Sequence, residues 1–323
     1  MLRRRGHHRI GDDAAILPSG PAWAVTTDQQ IAGVHFPPEL PPRAIARRLL
    51  AVNLSDLAAM GAKPEHALLT LSSPKSFEVK EFFRGMIRAC EEFRLELVGG
   101  DLARTRDLSA TMTLFGRREQ DSRWLSRSNA RVGDALFIGG VLGRAVAGLR
   151  LVGLGARLEG NAIRLPEAIS EQPISVLAEA RRAVRAYLLP QPQVALGLWL
   201  ARLPRVAAID ISDGLSLDLY RLCRESGVGA EISLEALLPA TTSLARLHRA
   251  IGLDFDSAIL AGGDEYRLLF SVPAGLRLPE TLGCVEIGTI SKGPEIRLIE
   301  AGRTRPLQPE GFDHYNADRS TEQ

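Results

Sequence analysis

VNLSDLAAMG, residues 52–61, sets an asparagine and an aspartate three positions apart in a run otherwise built almost entirely from Val, Leu, Ala, Met and Gly. Residues at that spacing share one side of a helix, so Asn53 and Asp56 should leave the same edge of an apolar segment. A carboxylate there is costly to desolvate unless it meets a cation or a strong donor. Three further segments offer more carboxylates instead: Gly11-Asp12-Asp13 with Thr26-Thr27-Asp28, then Gly99-Gly100-Asp101, then Asp210-Ile211-Ser212-Asp213-Gly214. Like charges drawn together call for a counter-ion, and Mg²⁺ fills that role where phosphate is handled.

Outward from that stretch, Pro42 opens a helical pattern in which Ile45, Leu49 and Val52 fall at i, i+4 and i+7. Before it, Trp23–Thr27 reads as a strand entering Asp28. After it come a strand at Ala67–Leu71, an amphipathic helix at Ser76–Glu92 with Ser76 as N-cap, and a strand at Glu96–Val98 running into a Gly-Gly-Asp turn. Ser109–Gly116 alternates as a strand. From Arg117 to Asp134 the pattern breaks into polar, Arg-rich and Ser-rich sequence, which places a domain boundary there, between residues 1–126 and 127–323. The second part predicts strands at Ala135–Ile138, Ala207–Ile211, Ala230–Ser233, Arg267–Val272, Cys284–Ile290 and Ile296–Ile299. Its helices are predicted at Arg144–Val152, Ile174–Tyr187, Gln193–Leu203 and Leu215–Ser226. Both halves mix strands and helices, so two α+β domains are expected.

The 323 residues are enough for two domains, and 45% hydrophobic content is ordinary for a globular chain. A net charge of +2 from 40 basic and 38 acidic residues leaves no electrostatic footprint for nucleic acid or a membrane surface. Arg3-Arg4-Arg5 reads as a solvated terminus. Cys90, Cys223 and Cys284 are odd in number and widely spaced, which favours neither a disulfide framework nor a zinc site. No apolar run has the length of a membrane span and no signal peptide is evident, so a soluble cytoplasmic protein is expected.

Each acidic motif also has an ordinary reading. Gly-Asp-Asp and Gly-Gly-Asp are good turn chemistry, although glycines also let a phosphate approach the backbone closely. Asp56 could pair with Arg47 or Arg48, and a lone Asp213 at a strand-to-helix junction would be an N-cap. Thr26 and Asp28, two apart, lie on the same side of a strand, as do Asp210 and Ser212. Gly139-Gly140-Val141-Leu142-Gly143-Arg144 fits neither the dinucleotide nor the P-loop fingerprint. The four lysines, Lys63, Lys75, Lys80 and Lys292, stand apart from any P-loop pattern, so phosphate must be neutralised by metal and arginine. His35 is a lone histidine beside Phe36 and two prolines, and no Ser/His/Asp or Cys/His spacing stands out.

Read together, IGDDAA (10–15), TTDQQIAGVHF (26–36), AVNLSDLAAMGAKP (51–64), VGGD (98–101), LSRSNARVGD (125–134), IDISDGLSLDL (209–219), AGGDEYRLLF (261–270) and GFDHY (311–315) resemble the thiamine-monophosphate kinase family of the aminoimidazole ribonucleotide synthetase superfamily. The resemblance covers nearly the whole chain. It implies the two-domain synthetase-like fold and transfer of the ATP γ-phosphoryl group to thiamine monophosphate, giving thiamine diphosphate. It also implies a homodimer whose first domains pair their sheets. Carried over by motif, Asp13, Thr26, Thr27, Asp28, Asp56, Asp101, Asp210 and Asp213 would hold several Mg²⁺ ions. Gly100, Asp101, Arg127, Ser212 and Asn53 would meet ATP, and His35, Asp264 and Phe312 the thiamine side. No general acid or base is implied, since the acceptor is itself an ionised phosphate.

Two departures stand out. The chain reaches Gly11 earlier than the family does, and the family's common Gly-Gly-Glu-Asp-Tyr is here Gly262-Gly263-Asp264-Glu265-Tyr266. The alternatives are a synthetase of the same superfamily that phosphorylates a substrate oxygen before adding an amine, and a nucleotide-binding regulator without turnover. A selenophosphate synthetase is disfavoured because no Cys precedes Gly11, and a maturation factor with a C-terminal Cys by the Thr-Glu-Gln ending.

Overall fold

The structure, a computed structural model, describes residues 12–17, 22–238 and 242–312. Ile10, Gly11 and residues 313–315 of the motifs above lie outside the described residues, as do His7, His8 and Arg3-Arg4-Arg5.

The first part runs β1 (Ala15–Leu17), β2 (Trp23–Ile31), α1 (Pro42–Ala59), β3 (Lys63–Ser73), α2 (Val79–Phe93), β4 (Glu96–Arg104) and β5 (Ser109–Arg117). Its strands form one sheet in the order β1-β2-β5-β3-β4. β3 and β4 are parallel, as a crossover through α2 requires, and the other pairs are antiparallel. The second part holds β6 (Ala135–Ile138), α3 (Arg144–Gly153), β7 (Arg157–Glu159), β8 (Ala162–Arg164), α4 (Ile174–Leu188), α5 (Val194–Leu200), β9 (Ala207–Ile211) and α6 (Leu215–Ser226). It continues with β10 (Gly229–Ser233), α7 (Leu234–Leu237), α8 (Thr242–Ala250), α9 (Phe255–Ala261), β11 (Arg267–Val272), β12 (Val285–Ser291), β13 (Ile296–Glu300) and β14 (Arg303–Pro306). Seven of these strands make a second sheet, β14-β13-β10-β12-β6-β11-β9, and β7 pairs with β8. The chain is α+β, as expected.

α1 is the pivot between the two sheets. Pro42 starts it at N1, where a missing N–H costs nothing, and the helix is apolar nearly all round, with Ile45, Leu49, Leu50, Leu54 and Leu57 fully buried. One side packs on β2, β5 and β3, the other on α5, β9 and β11. Ala58 and Ala59 belong to an apolar cluster that reaches Leu200, Leu268 and Phe270 of the second part.

Two local expectations are corrected. Ser76 does not cap α2, which starts at Val79 after Glu78 with no side-chain cap bond. Gly99-Gly100-Asp101 is not a turn, because β4 continues through it to Arg104, alongside Leu68, Leu69 and Thr70. The glycine is demanded by proximity: a Cβ on Gly100, at φ +156°, would sit 1.8 Å from the Leu69 carbonyl oxygen.

α1 and α2 cover one face of the first sheet. The other face carries Trp23, Val25, Thr27, Leu68, Thr70 and Phe115, and the edge strand β4 is exposed over most of its length, Val98 being 52% and Leu102 58% exposed. No helix among the described residues is long and apolar enough to cross a membrane. Cys90, Cys223 and Cys284 are free.

Candidate functional site

The carboxylates from distant segments do meet. Asp13 stands just before β1, Asp28 on β2, Asp56 on α1 and Asp210 on β9, while Ser212 and Asp213 form the turn into α6. Asp13, Asp56 and Asp210 each place a carboxylate oxygen within 4.8 Å of the other two. Strand alternation turns Thr26 and Asp28 to the α1 side, where Thr26 Oγ1 donates to Asp56 Oδ2 at 2.5 Å and the Asp28 N–H to Asn53 Oδ1 at 2.8 Å.

Burial and mutual repulsion make this a strained set of acids. Desolvation first, then Asp213 and Asp13, push the Asp28 carboxyl up to about 6. Burial, then Asp28, Asp210 and Asp13, hold Asp56 well above the ordinary carboxylate range, against the Thr26 hydrogen bond that lowers it. Asp210 is raised in the same direction by burial and then by Asp13. Counter-charge comes from two arginines at the margin. Arg127 grips Asp13 with Nε at 2.9 Å from Oδ2 and Nη2 at 2.9 Å from Oδ1, and Arg221 pairs with Asp213 at 2.5 Å.

The cluster opens into a cavity of about 700 Å³. Asp28, Asp56, Asp210, Ser212 and Asp213 line it together with His35, Asp264, Tyr266 and Phe312, and Ile31, Val34, Val146 and Leu149 supply apolar wall. His35 is held by its own turn, Nδ1 accepting the Ile31 N–H at 3.1 Å. The Phe312 N–H donates to the Asp213 carbonyl at 2.9 Å, which sets a 42% exposed aromatic ring at the cavity. An acidic cluster of oxygen donors beside an apolar, aromatic wall is suited to one ligand carrying phosphate and another carrying a heterocycle.

A family model described as AIR synthase related protein, N-terminal domain, matches residues 11–117. A thiamine-monophosphate kinase from Escherichia coli (strain K12) is 34% identical over 95% of this chain and 91% of its own length. One from Synechococcus elongatus is 36% identical over 94% and 91%. The chain belongs to the thiamine-monophosphate kinase family. A solved structure described as AaThiL complexed with AMPPCP and TMP superposes with a TM-score of 0.81 at 30% identity, over 97% of this chain and 94% of that one.

In this member of the thiamine-monophosphate kinase family, three of the residues expected at the site stand apart from the cluster. The Thr27 side chain lies on the opposite face of β2 from Thr26 and Asp28, its Oγ1 donating to the Met112 carbonyl at 3.1 Å. Gly100 and Asp101 lie on the exposed edge strand. Asn53, expected to meet ATP, is fully buried and braces the chain internally, with Oδ1 accepting from the Asp28 N–H and Nδ2 donating to the Leu49 carbonyl at 2.9 Å. The ordinary reading of Asp56 also fails, since Arg47 pairs with Glu92 and Arg48 with Asp264.

Sequence reasoning missed the residues that carry the site from behind. Asp218, in the first turn of α6, accepts the N–H groups of Ser212, Asp213 and Gly214 at 3.1, 3.0 and 3.2 Å on Oδ2, and Arg221 at 2.7 Å on Oδ1. The readable signal was an acid in the first turn after three residues whose N–H groups a helix start leaves free. Glu265, neighbour of Asp264, turns away from the cavity and takes the Gly143 and Ala145 N–H groups at 2.8 and 3.0 Å, capping α3. Burial, ahead of those two bonds, pushes it up to about 7. The transposed Asp-Glu order therefore leaves the shorter acid at the cavity and the longer one at the helix start.

Proposed function

We propose that this chain phosphorylates thiamine monophosphate to thiamine diphosphate, by direct in-line transfer from ATP with divalent ions held on the aspartates. The observation that carries the reading is the convergence of Asp13, Asp56 and Asp210 within 4.8 Å beside a cavity whose wall also includes His35, Asp264 and Phe312. The donor set fits Mg²⁺, because it is all carboxylate oxygen with no Cys or His, and three such groups leave coordination positions for phosphate and water. Asp13, Asp28, Asp56, Asp210 and Asp213 would hold the ions. Bound there, Mg²⁺ would neutralise the triphosphate and the developing charge.

The chain's own groups do the rest. Arg127, at the edge of the cluster, is placed to exchange Asp13 for a phosphate oxygen, using the same planar fork. Ser212 and the 212–214 turn hold the phosphates against the cluster, with Asp218 keeping the turn closed. Phe312 stacks on a heterocycle and Asp264 accepts from it, so the acceptor phosphate faces the donor. A phosphate acceptor needs positioning more than a base.

The bare face of the first sheet and its exposed edge β4 support a homodimer formed by pairing those sheets, as the sequence resemblance implies. Gly100 and Asp101 stand at that edge and would reach a metal cluster only across such an interface. The separation of the strands into two sheets supports a division into residues 1–126 and 127–323, and the free cysteines favour the cytoplasm. The test is incubation of the purified chain with Mg-ATP and thiamine monophosphate, reading ADP and thiamine diphosphate together. Equal yields of both are expected. ATP consumed with orthophosphate released and no thiamine diphosphate would overturn the assignment.

A further inference from the structure

Arg48 is among the largest fully buried side chains, 1% exposed, and sits on α1 between the buried Ile45 and Leu49. A guanidinium in that position is tolerated only if its donors are met. They are: Nε donates to Gln30 Oε1 at 3.1 Å, Nη1 to the Tyr187 carbonyl, and Nη2 to Asp264 Oδ1 at 2.7 Å, with the Tyr187 ring 5.0 Å from the guanidinium carbon. Asp264 Oδ1 accepts a second bond, from Tyr266 Oη at 2.9 Å. The backbone is fixed to match. Asp264 and Tyr266 both take left-handed conformations, φ 62° and 49°, and their N–H groups donate to the Ser212 and Ile211 carbonyls at 2.8 Å each.

One carboxylate oxygen of Asp264 is thus saturated from below by a buried cation and a phenol. The other, Oδ2, accepts nothing from the described residues, and Asp264 lines the cavity. We infer that Arg48 is a positioning residue for substrate selection: it neutralises Asp264 and turns Oδ2 into a single oriented acceptor for an exocyclic amino group on a heteroaromatic ring. The inference rests on the proposed function, in which that ring is the aminopyrimidine of thiamine monophosphate. A lone aspartate would favour any cation, whereas an aspartate already paired with arginine gains little from a second charge and discriminates by hydrogen bonding. The arrangement also accommodates the shorter acid at position 264, since a long, planar arginine reaches up to it.

The experiment compares thiamine monophosphate with the analogue whose pyrimidine amino group is replaced by hydrogen. Wild type should prefer the amino compound on the order of 100-fold in kcat/KM. Arg48→Met should bring that ratio to within about threefold of unity through KM, with the KM for ATP unchanged. Arg48→Lys, which keeps the charge but not the fork, should fall between. A merely structural role would lower stability and kcat for both compounds and leave the ratio alone, which would overturn the inference, as would a wild type that does not discriminate. Should Arg48→Met not fold, the double variant Arg48→Met/Asp264→Asn removes both charges together, and its ratio should equal that of Asp264→Asn alone. A larger additional loss would mean that Arg48 acts elsewhere. Failure of wild type to make thiamine diphosphate would sink the proposed function instead. In that case the same amino-compound preference, read as binding by calorimetry, decides on Arg48.

Discussion

Removing the charge of Asp28 should stabilise the metal-free protein while destroying its activity. Asp28 Oδ atoms receive no hydrogen bond from the described residues, and the bond that fixes this position, Asn53 to the backbone N–H, survives substitution. Asp28→Asn therefore removes a charge and little else. Moving its carboxyl from 3.8 to about 6 corresponds to about 3 kcal/mol, at roughly 1.4 kcal/mol per pH unit. The sign follows from proton uptake. A raised folded-state value means that the folded chain holds the proton more tightly than the unfolded one, so this contribution is complete below about pH 4 and is lost as pH rises through about 6. Asp28→Asn should match wild type near pH 4 and melt higher at pH 8 in EDTA, by on the order of 5 °C for a chain of this size. Adding Mg²⁺ should narrow or reverse the difference, because wild type alone keeps the full ligand set, and saturation at 100 times Kd stabilises by about 2.7 kcal/mol. Scanning calorimetry across pH with and without Mg²⁺ reads all of this. A variant that melts at or below wild type at pH 8 without divalent ions would refute the claim that repulsion and burial strain the cluster.

Asp218→Ala should leave three turn N–H groups without their acceptor, costing about 3 kcal/mol or more by denaturant unfolding, and should cut kcat by misplacing Ser212 and Asp213. Gly100→Ala has no room beside the Leu69 carbonyl and should lower the yield of folded protein and the melting temperature sharply. The proposed homodimer predicts that wild type sediments as a dimer and that Leu68→Glu, on the uncovered face of the first sheet, sediments as a monomer with its fold intact by circular dichroism.

The regular parts of the fold were legible because their patterns were clean. Ala135–Ile138, Ala207–Ile211, Leu215–Ser226 and Arg267–Val272 fall where the sequence places them, and α1 announced itself by Pro42 and its apolar spacing. What failed did so for identifiable reasons. Gly-Gly-Asp reads as a turn because local chemistry cannot reveal that a neighbouring carbonyl demands the absence of a side chain. β1, β7, β8, β14 and the short helices α7 and α9 are too brief for periodicity to resolve. Thr27 joins the expected ligand set through the motif resemblance alone, and the alternation that puts Thr26 and Asp28 on one side of the strand sends it to the other. The convergence of Asp13, Asp56 and Asp210 came from the joint pattern, but the supports behind it did not: Arg48 and Asp218 look like unremarkable helix residues until their partners, at 264 and at 212–214, are seen in space.

α1 carries Arg48, which sets the acceptor for the ring, and Asp56, which belongs to the acidic cluster. They lie eight positions apart, so the helical rise puts about 12 Å of rigid rod between the two duties. That makes the helix a molecular ruler: a compound whose tether between base and phosphate is longer or shorter by a bond or two would dock at one mark and miss the other, with no slack in a loop to absorb the error.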